Sequence, residues 1–207
     1  MTGNPNDLQR FTAWERGNHW LVAICFILLA LSGLALFHPA LWPLTQLFGG
    51  GVWLRILHPF VGILIAVLFV SMFARFRTLN LMSGSDWEWL KHVPEMVGSG
   101  GPMPPQGKFN GGQKLLFWAL GICLLLLLLS GLVMWRAYFH PPAALARIAS
   151  LTHAASGAVM IGLIIVHIYA AIWTPGALRA MLYGTVSRAW AKHHHELWFN
   201  QMTGSRP

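Results

Sequence analysis

The sequence has 207 residues, of which 56% are apolar and only 10% charged, and its formal net charge is +8. A water-soluble domain of this length needs more charged surface than that, so the apolar excess is expected to face lipid. The basic surplus sits in loops between apolar runs, which argues for the usual charge bias of an inner-membrane protein and against a nucleic-acid partner.

A short N-terminal arm carries Arg10 and Arg16. Four apolar runs follow, at 19–37, 52–74, 115–135 and 151–173. Each has roughly 20 residues, enough for a helix to cross a ~30 Å hydrocarbon layer. None of the runs contains an acid: Asp7, Glu15, Asp86, Glu88, Glu95 and Glu196 all lie in flanks or loops. The first run is too long for the apolar core of a signal peptide and has no small-residue cleavage site behind it, so no cleaved leader is expected. Cys25 and Cys123 lie alone in the middle of apolar runs and read as small packing residues rather than metal or disulfide partners. The tetrapeptide LSGL occurs at Leu31–Leu34 and again at Leu129–Leu132, a weak internal repeat that duplication and coincidence explain equally well.

The connection from about 75 to 114 is rich in Gly and Pro at 98–107 and is expected to be irregular. From 176 onward the tail mixes Trp190, Trp198 and Phe199 with Arg188, Lys192 and His193–His195, the composition of an amphipathic helix on a membrane surface or against a partner. The N-terminal arm, the 75–114 connection and the tail hold eleven of the fourteen basic residues, while Arg55, Arg136 and Arg147 lie on the other side. By the positive-inside rule both termini are cytoplasmic. The expected fold is an all-α membrane protein: one domain over 1–207, four transmembrane helices and an amphipathic C-terminal helix.

Histidine is costly inside a bilayer and usually functional there. Of the ten in this chain, His38, His92, His140, His193, His194 and His195 fall in loops, span exits or the tail, where a solvated or interfacial position accounts for them. His19, His58, His153 and His167 remain. His153 and His167 are 14 residues apart. Fourteen steps of about 100° fall only about 40° short of four turns, so both rings leave one face of the helix, about 21 Å apart along its axis. With the first span running outward and the second and fourth inward, His58 lies at the depth of His153 and His19 at the depth of His167. Each cross-helix pair can supply two axial imidazoles to a six-coordinate haem iron, giving a dihaem cytochrome b bundle. A single metal ion shared by His153 and His167 is excluded by their separation, and no carboxylate accompanies them. Four residues after the ligands come Ala23, Gly62, Gly157 and Ala171, small neighbours on the same helix faces, as a flat macrocycle requires. Arg16 and Arg55 each precede a candidate ligand by three residues, where a guanidinium either pairs with a haem propionate or is an ordinary flanking charge. A haem-free proton transporter is the rival of another class, and the lack of a membrane carboxylate weighs against it.

Several stretches carry a family resemblance: RFTAWERGNHW at 10–20, LRILHPFVG at 54–62, GKFNGGQKLLFW at 107–118, LTHAASG at 151–157, HIYAAIWTPGALRAM at 167–181 and GTVSRAWAKHHHELW at 184–198. The chain resembles the cytochrome b (gamma) subunits of respiratory formate dehydrogenases over nearly its whole length. That resemblance implies two haems b on His19, His58, His153 and His167, and a quinone, menaquinone above all, bound near the cytoplasmic side by Asn110, Gly112 and His167. It implies an iron–sulfur beta subunit and a molybdenum or tungsten pterin alpha subunit as partners, a multi-pass place in the bacterial inner membrane, and electron flow from the outer side to the quinone. The formate-oxidising site then lies on another subunit. Cytochromes b of other membrane oxidoreductases, such as hydrogenases, share the histidine logic, and the GKFNGGQK stretch distinguishes this chain from them. The family often has Ala where Gly111 stands. Read by itself, Asn110 offers an amide to a ligand or caps the third span, and glycines at 111 and 112 let backbone approach a neighbour closely.

Overall fold

A computed structural model describes residues 6–98 and 103–204. Residues 99–102 of the Gly/Pro-rich stretch and Arg206 of the tail lie outside the described residues. In chain order the elements are β1 (Leu8–Gln9), α1 (Ala13–Phe37), a 3₁₀ segment (Pro39–Phe48), α2 (Gly51–Phe76), a 3₁₀ turn (Thr78–Asn80), α3 (Gly84–Lys91), α4 (Val93–Gly98), α5 (Gly111–Met134), α6 (Ala143–Trp173), α7 (Ala177–Tyr183), β2 (Thr185–Val186), α8 (Arg188–His194) and α9 (Glu196–Thr203).

Among the described residues, α1, α2, α5 and α6 are long and apolar enough to cross a membrane, matching the four expected spans. All four start earlier than the apolar runs do, α2 by a single residue and the others by four to eight, because a helix begins at its cap rather than where polarity ends. In α1 the Thr12 hydroxyl accepts from the Glu15 N–H at 3.2 Å, and the Glu15 carboxylate accepts from the Thr12 N–H at 2.9 Å. This reciprocal capping box draws the helix back to Ala13 and places Glu15 in its first turn. An equivalent box opens α5: Asn110 Oδ1 accepts from the Gln113 N–H at 2.9 Å, and Gln113 Oε1 accepts from the Asn110 N–H at 3.0 Å. Helix α6 begins at Ala143, directly after Pro141 and Pro142, and AALARIAS is helix-favouring although Arg147 and Ser150 end its apolar run.

The chain divides into two compact units. One comprises Gly17–Ala74 and Ala119–Val166 and holds most of the four long helices. Its core takes Cys25 from α1, Ile65 and Phe69 from α2, Cys123 and Leu124 from α5 and Met160 from α6, so all four helices pack around one apolar centre. Both cysteines are buried there as free thiols. Ile24, Val67, Ile122 and Val159 remain more than half exposed, the outward apolar faces of a bundle solvated by lipid.

The other unit comprises Met1–Arg16, Arg75–Trp118 and His167–Pro207, the same three regions in which the basic residues concentrate. Its 75–114 connection is not wholly irregular. Ser83 and Asp86 form a capping box that starts α3, and the Lys114 ammonium reaches Asp86 at 2.7 Å, an ion pair buried on both sides. The tail is amphipathic, but it is three short helices rather than one. Gly184, with φ +84°, stops α7 in a left-handed conformation. Thr185 and Val186 then pair antiparallel with Gln9 and Leu8, and Ser187 caps α8. Ala180, Val186, Ala191 and Trp198 form a small core beneath Leu8 and Phe11.

Candidate functional site

Inside the bundle unit, His58 of α2 and His153 of α6 face each other with ring centres 6.2 Å apart and planes inclined at 60°. Two imidazoles bound to opposite faces of one iron, with bonds of about 2 Å and about 1 Å from ring centre to nitrogen, need ring centres about 6 Å apart. The observed spacing therefore suits one haem iron between them. It is too wide for a direct hydrogen bond to hold the two rings together.

Each ring is held from behind by a serine on a neighbouring helix. Ser32 Oγ of α1 lies 2.7 Å from His58 Nδ1, and Ser130 Oγ of α5 lies 3.0 Å from His153 Nδ1. With Nδ1 occupied on both rings, Nε2 is the nitrogen left for a metal. Gly33 and Gly131, the residues after these serines, face the same rings. A Cβ on Gly33 would stand 3.6 Å from His58 Cε1, and one on Gly131 would stand 3.3 Å from His153 Cε1. These four residues are the serines and glycines of the two LSGL segments. Sequence reasoning recorded the repeat and missed its use, because each serine's partner lies on another helix.

The small residues expected beside a macrocycle also fit. A Cβ on Gly62 would meet nothing within 4 Å, and one on Gly157 would touch only Leu127, at 3.9 Å. Arg55 lies over the Trp42 ring, 5.9 Å from its centre. His19, also in the bundle unit, stacks edge-on with Trp20 at 5.5 Å. His167 begins the last part of the other unit.

That second unit also contains Asn110 and Gly112. Asn110 is the cap of α5, so its side-chain oxygen is committed to Gln113. The close approach permitted by the glycines is to α3: a Cβ on Gly111 would stand 2.6 Å from the Asp86 carbonyl oxygen, and one on Gly112 would stand 3.1 Å from the Trp89 ring. An alanine at position 111 would not fit against α3 as it lies here.

His195 departs from expectation. It is buried, not solvated, and accepts from Arg10 Nη2 at Nε2 over 3.0 Å. Its Nδ1 donates to the Gly107 carbonyl at 2.7 Å. Arg10 in turn lies against the rings of Phe11, Trp190 and Trp198. The histidine run thus supplies one internal strut, while His193 and Lys192 stay exposed.

Residues 10–184 match the family model described as prokaryotic cytochrome b561. The chain is 42% identical over 191 residues to the cytochrome b556(Fdn) subunit of the nitrate-inducible formate dehydrogenase of Escherichia coli (strain K12), covering 91% of this chain and 88% of that one. It is 43% identical over 195 residues to the formate dehydrogenase cytochrome b556(fdo) subunit of the same organism, covering 93% and 92%. It is 37% identical over 201 residues to the formate dehydrogenase cytochrome b556 subunit of Haemophilus influenzae, covering 96% and 84%. With its four membrane helices and its facing histidines, the chain is a multi-pass haem b protein that belongs to the prokaryotic cytochrome b561 family.

Proposed function

We propose that this chain is the dihaem membrane anchor and electron-transfer subunit of a respiratory formate dehydrogenase. The observation that carries the proposal is the 6.2 Å pair of His58 and His153, each held at Nδ1 and presented from a different helix. These two residues hold one haem b, and His19 and His167 hold the second. A haem b held by these histidines would supply reversible one-electron chemistry. The protein's part is to fix the ligands, exclude water from them and set their depth in the bilayer.

The chain acts as a single domain in the bacterial inner membrane, with both termini cytoplasmic. Electrons arrive from an iron–sulfur subunit at the outer side, itself fed by a molybdenum or tungsten pterin subunit that oxidises formate. They leave to a quinone, menaquinone above all, near Asn110, Gly112 and His167, with protons taken up from the cytoplasm. The names of the relatives support the choice of formate dehydrogenase over other membrane oxidoreductases.

The test is purification of the intact complex, with a pyridine haemochrome assay and identification of the co-purifying subunits. Two haems b per chain, reducible by formate, are expected. A hydrogenase catalytic subunit in place of a formate dehydrogenase would reassign the partner. Absence of haem b from the assembled complex would end the cytochrome reading.

A further inference from the structure

We propose that Ser32 and Ser130 are positioning residues that fix the protonation and orientation of His58 and His153, and so set the electronic character of the haem between them. This rests on His58 and His153 being the axial ligands of one haem.

A serine hydroxyl has one proton to give. Ser32 Oγ lies 2.7 Å from the Leu28 carbonyl oxygen and 3.2 Å from that of Leu29. Both are acceptors only, so the Ser32 proton goes back to its own helix. The Oγ lone pair then faces His58 Nδ1, and the hydrogen between them belongs to the ring. Ser130 repeats the arrangement, with the Leu126 carbonyl at 2.6 Å and that of Leu127 at 3.3 Å. Each chain of bonds runs from Nδ1–H to Oγ and from Oγ–H to the carbonyl of the residue four earlier. This selects the tautomer with a bare Nε2, the form that can bind iron.

The same chain has an electronic effect. Donation from Nδ1 makes the imidazole a stronger σ-donor at Nε2, as outer partners of metal-bound histidines do. The onward bond to the backbone carbonyl strengthens the serine oxygen as an acceptor. A more basic ligand favours ferric over ferrous iron, so the two serines hold this haem's potential down. They also fix the ring planes.

The experiment is a redox titration of the purified complex, followed optically and by electron paramagnetic resonance. In Ser32→Ala, with both haems retained, the potential of the His58–His153 haem should rise and its low-spin g-values should move, while the second haem is unchanged. Ser130→Ala should likewise raise it, and the double variant should give the largest rise. Ser32→Thr, which keeps the hydroxyl and its bond to the preceding turn, should titrate like the parent. Loss of this haem in Ser32→Ala but not in Ser32→Thr would also support the assignment. Unchanged potentials and g-values in the fully loaded double alanine variant would overturn it, and so would loss of the haem in both Ser32 variants. A parent complex without haem b would instead remove the underlying ligand reading, before any serine variant is compared.

Discussion

Arg10 and His195 share a hydrogen bond of 3.0 Å although they stand 185 residues apart, and both are almost wholly buried. Guanidinium has only donors, so the ring accepts and must be neutral. Burial, and then the charge of Arg10, push the His195 pKa down to about 3, with His194 contributing in the same direction. The unfolded chain binds a proton near pH 6.5 and the folded one does not until about pH 3. Stability from this site is therefore fully present above about pH 6.5 and is lost as pH falls toward 3, at up to about 1.4 kcal/mol per pH unit. Amide protection factors at residues 184–204, corrected for the intrinsic exchange rate at each pH, should fall between pH 7 and pH 4. His195→Gln, which can still accept from Arg10 and donate to Gly107, should flatten that dependence. An equally steep profile in the variant would assign the pH response to other groups.

Asp86 and Lys114 form a buried ion pair in the same unit. Burial alone raises the Asp86 pKa, but hydrogen bonds from Lys114 and Ser83 outweigh it and keep the carboxyl below its ordinary range. Removing one partner leaves the other charged in a dry site, so Asp86→Ala should cost about 3–5 kcal/mol. The double variant Asp86→Ala with Lys114→Met should cost less than Asp86→Ala alone. A double-mutant cycle by thermal or denaturant unfolding measures this, and strictly additive losses would count against the pair.

The four spans were legible because each depends on one helix at a time. Hydropathy marks a crossing, and a 3.6-residue period places His153 and His167 on one face. What escaped depends on two helices meeting. Ser32 looks like any intrahelical serine until α2 brings His58 against it, and only the repeated LSGL hinted that two such contacts exist. His195 sits in a polar run that reads as solvated, and it is buried by the N-terminal arm that β1 and β2 pin to the tail. The helix starts at Ala13 and Gly111 were encoded as capping boxes, which an apolar-run criterion does not register.

The pairing of ligands predicts a grouping of variants. His58→Ala and His153→Ala should each lose the same haem and leave the other with its bis-histidine spectrum. His19→Ala and His167→Ala should lose the second. Haem stoichiometry with low-temperature difference spectra separates the two sets. Two bis-histidine haems in His58→Ala would break the assignment.

Asn110 caps α5, and its chemistry separates that role from the proposed quinone-binding one. As the cap of α5 it accepts through Oδ1 from the Gln113 N–H, and removing that acceptor with Asn110→Ala should cost about 1 kcal/mol. In the proposed quinone site it would act through its amide N–H₂ group, which the cap does not use. Serine is as good a cap as asparagine but has no amide. Asn110→Ala should therefore lower stability and slow quinone reduction, with both haems retained. Asn110→Ser should keep the stability and still slow quinone reduction, read as formate-driven reduction of a menaquinone analogue. A parent-like rate in Asn110→Ser would leave the cap as this residue's whole function, and would move the search for the quinone's hydrogen-bond donor away from the start of α5.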